Sequence, residues 1–253
     1  MPFAIQLCLA MLAFLPACSL EPDDGGNGNV AVSPDLTADV RILFIGNSLT
    51  YVNDLPAVVK ALVAGAGLPN TQVAAIAFPD FGLEQHWEEG QARTAVAKDG
   101  WTHVIMQQGP SALETSRVNL LQWSIAFADI IKAHGAIPGM YMVWPSTERF
   151  SDFERVSESY RLAAEAIGGQ LYPAGDAWRA AWRRNPGLAL YGNDGFHPSN
   201  LGTYTAALSI VGIVYTRTPV GLPALGIPAA TATLLQESAA EAIAGVPEGV
   251  RRP

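Results

Sequence analysis

Apolar residues recur along this chain in two alternating rhythms. Val40-Arg41-Ile42-Leu43-Phe44-Ile45 is a short, nearly unbroken apolar run stopped by Gly46, the pattern of a strand covered on both faces in a parallel sheet. Over 53–66 the apolar positions return at helical spacing and close on Gly67. The pair of rhythms then repeats. Strands are predicted over 73–78, 102–106, 138–144 and 170–172, and helices over 83–98, 116–134, 152–167, 199–215 and 229–244. Strands that alternate with helices require right-handed crossovers and a parallel sheet with helices on both sides. The predicted fold class is therefore α/β: a three-layer α/β/α sandwich with a parallel, flavodoxin-like sheet. Ligands of such sheets sit at the carboxyl ends of the strands, so chemistry is to be sought in the loops that follow them.

The first residues follow a different pattern. Residues 3–15 are almost wholly apolar, too short to span a bilayer, and lead into Leu15-Pro16-Ala17-Cys18. This resembles a bacterial lipoprotein signal, in which the cysteine is lipidated and residues 1–17 are removed. No Lys or Arg precedes the apolar run, and an ordinary cleaved signal peptide is the competing reading; either implies export. Cys18 would carry the lipid, and Ser19, where an inner-membrane retention signal would place Asp, leans by that resemblance toward the outer membrane, with a secreted or periplasmic location as the alternative. Residues 18–39, rich in Gly, Asp, Asn and Pro, are expected to form a flexible tether, and 40–253 a single domain. Cys8 and Cys18 are the only cysteines, so a mature domain would fold without disulfides. With 49% hydrophobic residues in a chain of 253, the core can supply that stability. The net charge of −8, with no basic stripe, argues against a nucleic-acid partner.

The loop after the first strand reads Gly46-Asn47-Ser48-Leu49-Thr50. A serine between strand and helix can present its hydroxyl at the sheet edge while its backbone N–H points into the same space. Helix N-capping is the competing role for Ser48. The segment lacks the second glycine of a Gly-x-Ser-x-Gly elbow, the Gly-Lys-Ser/Thr of a P-loop and the further glycines of a dinucleotide site. Near the other end, Gly192-Asn193-Asp194-Gly195-Phe196-His197-Pro198-Ser199 places an aspartate three residues before a histidine. That spacing lets a carboxylate reach the near imidazole nitrogen and set the tautomer. Pro198 is expected at the first helical turn, stiffening the segment. A turn aspartate beside a surface histidine is the plainer alternative.

Taken together, Gly-Asn-Ser-Leu-Thr near the start and Asp-x-x-His-Pro-Ser near the end resemble the SGNH (GDSL-like) hydrolase superfamily, over residues 40 to about 216. The resemblance implies a serine esterase with Ser48 as nucleophile and Asp194 and His197 completing the triad. Asn47 stands where the family usually has Asp. The resemblance also implies oxyanion donors: the N–H of Ser48, the N–H of Gly82 after the second strand, and an amide after the third. The family's Asn there is replaced in Met106-Gln107-Gln108-Gly109, which makes Gln107 the first choice and Gln108 the alternate. His86 is expected either to line the pocket or to pack beside Trp87, and Trp144 either to stack on a sugar ring or to lie in the core. Asp176 reads as a helix N-cap, and His103 and His134 as structural.

No metal-ligand spacing occurs and no cofactor is implied. The expected substrate is a small-molecule or carbohydrate ester with a short acyl group, acetyl first, and membrane contact is expected only through the lipid. The alternatives are a lipase or thioesterase of longer acyl preference and a non-catalytic glycan-binding module on the same fold.

Overall fold

The computed structural model describes residues 32–251. Cys18, the signal segment and residues 19–31 of the expected tether lie outside the described residues. Five strands form one parallel sheet: β1 (Val40–Gly46), β2 (Thr71–Ala77), β3 (His103–Met106), β4 (Ile137–Tyr141) and β5 (Gln170–Tyr172). Their order is β2-β1-β3-β4-β5. This is the flavodoxin-like three-layer sandwich that the alternation predicts.

The order also fixes where a site can be. The crossover from β1 to β2 runs one way along the sheet and every later one runs the other way. Their helices therefore lie on opposite faces, and a crevice opens where the direction reverses, between the carboxyl ends of β1 and β3. One layer holds α2 (Leu55–Gly65), α7 (Ala174–Arg184), α8 (Asn200–Val214) and α9 (Ala229–Ala244). The other holds α3 (Leu83–Glu89), α4 (Gln91–Val96), α5 (Glu114–Ala133) and α6 (Phe153–Ala166). Two one-turn helices complete the set, α1 (Ser48–Tyr51) after β1 and α10 (Glu248–Arg251) at the end. The run Ile42–Ile45 is fully buried, as a central strand with both faces covered must be. Among the described residues no helix is long and apolar enough to cross a membrane.

Several boundaries differ from the expected ones, each for a local reason. The helix expected over 83–98 is two helices, because Gly90 (φ 93°) takes the left-handed conformation that ends α3 and opens α4. Ser199, not Pro198, caps α8; its hydroxyl accepts from the Gly202 N–H, so Pro198 precedes the helix. Asp176 lies inside the first turn of α7 and accepts from the Ser157 hydroxyl at 2.7 Å. Residues 32–39, counted with the tether, run along the domain. Lys98 Nζ donates to the Val32 carbonyl (2.8 Å), Gln72 Nε2 to the Ser33 carbonyl (2.9 Å), and Ala38 is buried. Few large apolar groups stand in that stretch; polar bonds from residues distant in sequence hold it.

Candidate active site

The carboxyl end of β1 turns sharply at Asn47. Its side-chain oxygen accepts from the Leu49 N–H (3.1 Å) and caps α1, so the capping role considered for Ser48 belongs to its neighbour. Ser48 becomes the first helical residue, and its hydroxyl is left free of structural duty. Asn47 does two further things. Its Nδ2 donates to the Phe81 carbonyl (2.9 Å), tying the loop after β2 to the turn, and its Oδ1 also accepts from Gln107 Nε2 (2.8 Å). Gly46 is required just before it: a Cβ there would come within 2.5 Å of Gln107 Oε1 and 2.3 Å of Thr50 Oγ1.

Gln107 is fully buried and its amide is fully used. Oε1 accepts from the Asn47 N–H (2.9 Å) and the Thr50 hydroxyl (2.8 Å), while Nε2 donates to Asn47 Oδ1 and to the Gln108 carbonyl (2.6 Å). No N–H remains for a substrate, which corrects the first choice between the two glutamines. Gln108 is the one that faces the cleft. Its Nε2 donates to Ser111 Oγ (3.0 Å) and its Oε1 accepts from the Leu83 N–H (3.2 Å), leaving one amide hydrogen unassigned.

That cleft, about 390 Å³, is lined by Ser48, Gly82, Gln108, Arg149 and Phe196 among others. Gly82 is the N-cap of α3, and its N–H is occupied by Gln85 Oε1 at 2.9 Å in a capping-box contact. A ligand oxygen bound to that N–H has to displace the Gln85 side chain.

Asp194 and His197 are brought together. His197 Nδ1 lies 2.5 Å from Asp194 Oδ2, while Asp194 Oδ1 accepts from the N–H groups of Phe196 and His197, both at 2.9 Å. The hydrogen bond from the His197 ring, then that from the Phe196 amide, pulls the carboxyl down to about 2, so it is ionised at neutral pH. An ionised partner at Nδ1 places the ring proton there and turns the Nε2 lone pair outward. Four contacts hold this loop. Asn53 Nδ2, just beyond α1, donates to the Pro198 carbonyl (2.7 Å), so the serine and histidine segments are linked directly. The Thr147 N–H donates to the Gly195 carbonyl (2.8 Å), and Tyr191 OH to the Pro145 carbonyl (2.6 Å). Trp144 Nε1 donates to the Phe196 carbonyl (3.0 Å).

Two expected pocket residues have other duties. Trp144 is fully buried and stacks on Trp178 with ring centroids 3.6 Å apart, so it has no face for a sugar. His86 is also fully buried, its ring packed on Phe78 and Phe81. Its Nε2 is 2.7 Å from the Gly46 carbonyl, and since a carbonyl only accepts, that nitrogen carries the proton. Burial lowers its pKa, which keeps the ring neutral. His86 braces the turn before Ser48. Asn53, Gln85 and Arg149 were not found by sequence reasoning; asparagine before a helix, glutamine in a first turn and arginine in a loop carry no distinguishing pattern.

Comparisons with solved structures bear on the fold. A candidate SGNH hydrolase from Slackia heliotrinireducens is similar at 27% identity and a TM-score of 0.59, over 68% of this chain and 97% of its own. A protein of a family of unknown function from Bacteroides uniformis is similar at a TM-score of 0.69 and 18% identity, over 81% and 95%. The chain has the SGNH hydrolase fold. A lipase/acylhydrolase from Enterococcus faecalis shares this SGNH fold at 14% identity and a TM-score of 0.55, over 70% and 96%. No family model matches the sequence, and no curated protein matches it either.

Proposed function

We propose that this protein is a serine esterase of the SGNH type that hydrolyses short acyl esters, acetyl first, on a small-molecule or carbohydrate alcohol. The observation that carries the reading is the Asp194–His197 pair, with its carboxylate ionised and its loop tied through Asn53 to the end of the helix that begins at Ser48. His197 Nε2 takes the Ser48 proton as the hydroxyl oxygen attacks the ester carbonyl, and Asp194 steadies the imidazolium that forms. A hydrogen bond from the Ser48 hydroxyl to His197 Nε2 forms when substrate is in place. The N–H of Ser48 and the spare N–H of Gln108 meet the developing oxyanion, joined by the Gly82 N–H once Gln85 swings away. The histidine next protonates the leaving alcohol, and water releases the acyl group by the reverse sequence.

Support for a short acyl group comes from the modest size of the cleft, about 390 Å³, and from polar residues such as Asn47, Gln108 and Asn119 that interrupt its apolar wall. The buried position of Trp144 removes the ring that a glycan-binding module would have used. The reading extends to the cell envelope, with Cys18 as the lipid-bearing residue, on the strength of the apolar leader alone. The test is hydrolysis of 4-nitrophenyl acetate, butyrate and octanoate by residues 32–253 beside a Ser48→Ala variant. Acetate turnover that vanishes in the variant supports the reading, octanoate preference moves it to a lipase, and equal rates in both proteins end it.

A further inference from the structure

The cleft beside Ser48 adjoins a second hollow of about 280 Å³, and Pro110, Arg149 and Phe196 line both. Phe196 precedes His197, so this shared wall stands next to the proposed base. The larger hollow has two charged residues in its lining, Asp80 and Arg149. Arg149 is held from behind. Its Nε and Nη2 reach the same oxygen of Asp152, at 2.8 and 2.5 Å, and Asp152 is only 4% exposed. The other carboxylate oxygen is taken by Arg155. Two guanidinium groups therefore share one carboxylate, and no other acid pairs with either among the described residues. The Arg149–Asp152–Arg155 group carries one net positive charge, and Asp80 is the one acid in the cleft lining.

The Arg155 bond, and Arg149 after it, holds the Asp152 carboxyl below its ordinary range, so this anchor stays ionised wherever an esterase is assayed. With Nε and Nη2 engaged, the edge formed by Nη1 and Nη2 still offers parallel N–H groups, and Nη1 donates to no described residue. The Arg149 side chain is 51% exposed at the wall. A guanidinium already fixed by a buried partner loses little freedom on binding, and its open edge matches a carboxylate in shape and charge.

We propose that Arg149 determines specificity by receiving a carboxylate carried on the substrate ester. The inference rests on the esterase reading and says which esters are preferred. The carboxylate sits on either the alcohol or the acyl part. Two matched pairs distinguish these: 4-acetoxybenzoate against its methyl ester, and 4-nitrophenyl hydrogen glutarate against 4-nitrophenyl pentanoate. The first readout is the ratio of kcat/KM within each pair. The second, independent of turnover, is binding of all four esters to the Ser48→Ala protein.

The expected result is about tenfold preference for the anionic member of one pair, falling toward unity in Arg149→Gln and in high salt and partly kept in Arg149→Lys. The same preference is expected in binding to Ser48→Ala and is lost in the Ser48→Ala/Arg149→Gln double variant. Equal treatment of both members in turnover and binding overturns the role of Arg149 while leaving the esterase intact. Anion preference in binding without hydrolysis of any ester overturns the esterase reading and keeps the anion site.

Discussion

Asn47 and Gln107 close a ring of two hydrogen bonds. The Asn47 N–H donates to Gln107 Oε1 at 2.9 Å, and Gln107 Nε2 donates back to Asn47 Oδ1 at 2.8 Å. The ring joins the carboxyl ends of β1 and β3 across the switch point of the sheet. It accounts for asparagine where the family it resembles usually has aspartate: in this arrangement Asn47 Nδ2 also donates to the Phe81 carbonyl, and a carboxylate has no hydrogen to give.

The two neighbouring glutamines should therefore fail differently. Gln107→Ala leaves the Asn47 N–H and the Thr50 hydroxyl, both buried, without their partner, at a cost of about 3 kcal/mol. Melting should drop by roughly 10 °C, with activity falling as the turn loosens. Gln108→Ala should melt within a few degrees of the parent while kcat falls about a hundredfold. Thermal melts beside ester kinetics separate the two; the reverse pattern would return the oxyanion role to Gln107.

Asp194→Asn tests the base. The substituted oxygen can still accept from the Phe196 and His197 amides, so the loop should keep its shape. The new NH₂ would face His197 Nδ1 and drive the ring proton to Nε2, where the lone pair is needed. A fall in kcat of about 10³- to 10⁴-fold with little change in melting is expected. A loss under tenfold would remove Asp194 from the mechanism.

How much of this was legible beforehand depended on the distance between cause and residue. The sheet and most helices follow from apolar periodicity, and the Asp194–His197 pair is local, three residues apart on a turn. The position of Ser48 between strand and helix was legible in the same way. The duties of His86 and Trp144 were not, because each side chain points inward from an edge where both directions were open, and only packing against Phe81 or Trp178 decides. Asn53, Gln85 and Arg149 act on partners that sequence spacing does not reveal as functional. The break at Gly90 leaves no mark in the sequence, because a glycine within a helical pattern is tolerated when nothing turns the chain there.

Gln85 gives a sharper test of the Gly82 N–H. Removing its side chain in Gln85→Ala costs the capping contact, about 1 kcal/mol of stability. If the Gly82 N–H takes part in turnover, the same change frees it in advance, and kcat/KM should rise by about fivefold or less, since one neutral hydrogen bond no longer has to be broken. A variant that melts a few degrees earlier yet turns over faster would carry the argument. Unchanged or lower kcat/KM would remove Gly82 from the oxyanion site.

The buried histidines set an acid limit on stability. Burial brings His103 down to about 4 and lowers His86 as well, against an ordinary value of 6.5. The folded protein thus binds fewer protons than the unfolded chain below pH 6.5, and stability must fall as pH falls through that value. For His103 the loss continues to about pH 4 and amounts to roughly 3 kcal/mol. The lowered carboxyls act further down: the stabilisation from Asp194 is lost only as pH falls from the ordinary 3.8 toward about 2, and that from Glu241, held down by Arg183 and Arg184, only as pH falls through its ordinary 4.5, at the foot of the histidine range. A decline between pH 6.5 and 4 is therefore a histidine signature. Urea denaturation at pH 7, 5.5 and 4.5 should show it, and His103→Gln should flatten it by more than half whatever its stability at pH 7. A parent protein equally stable at all three pH values would mean that neither ring is kept neutral by its burial.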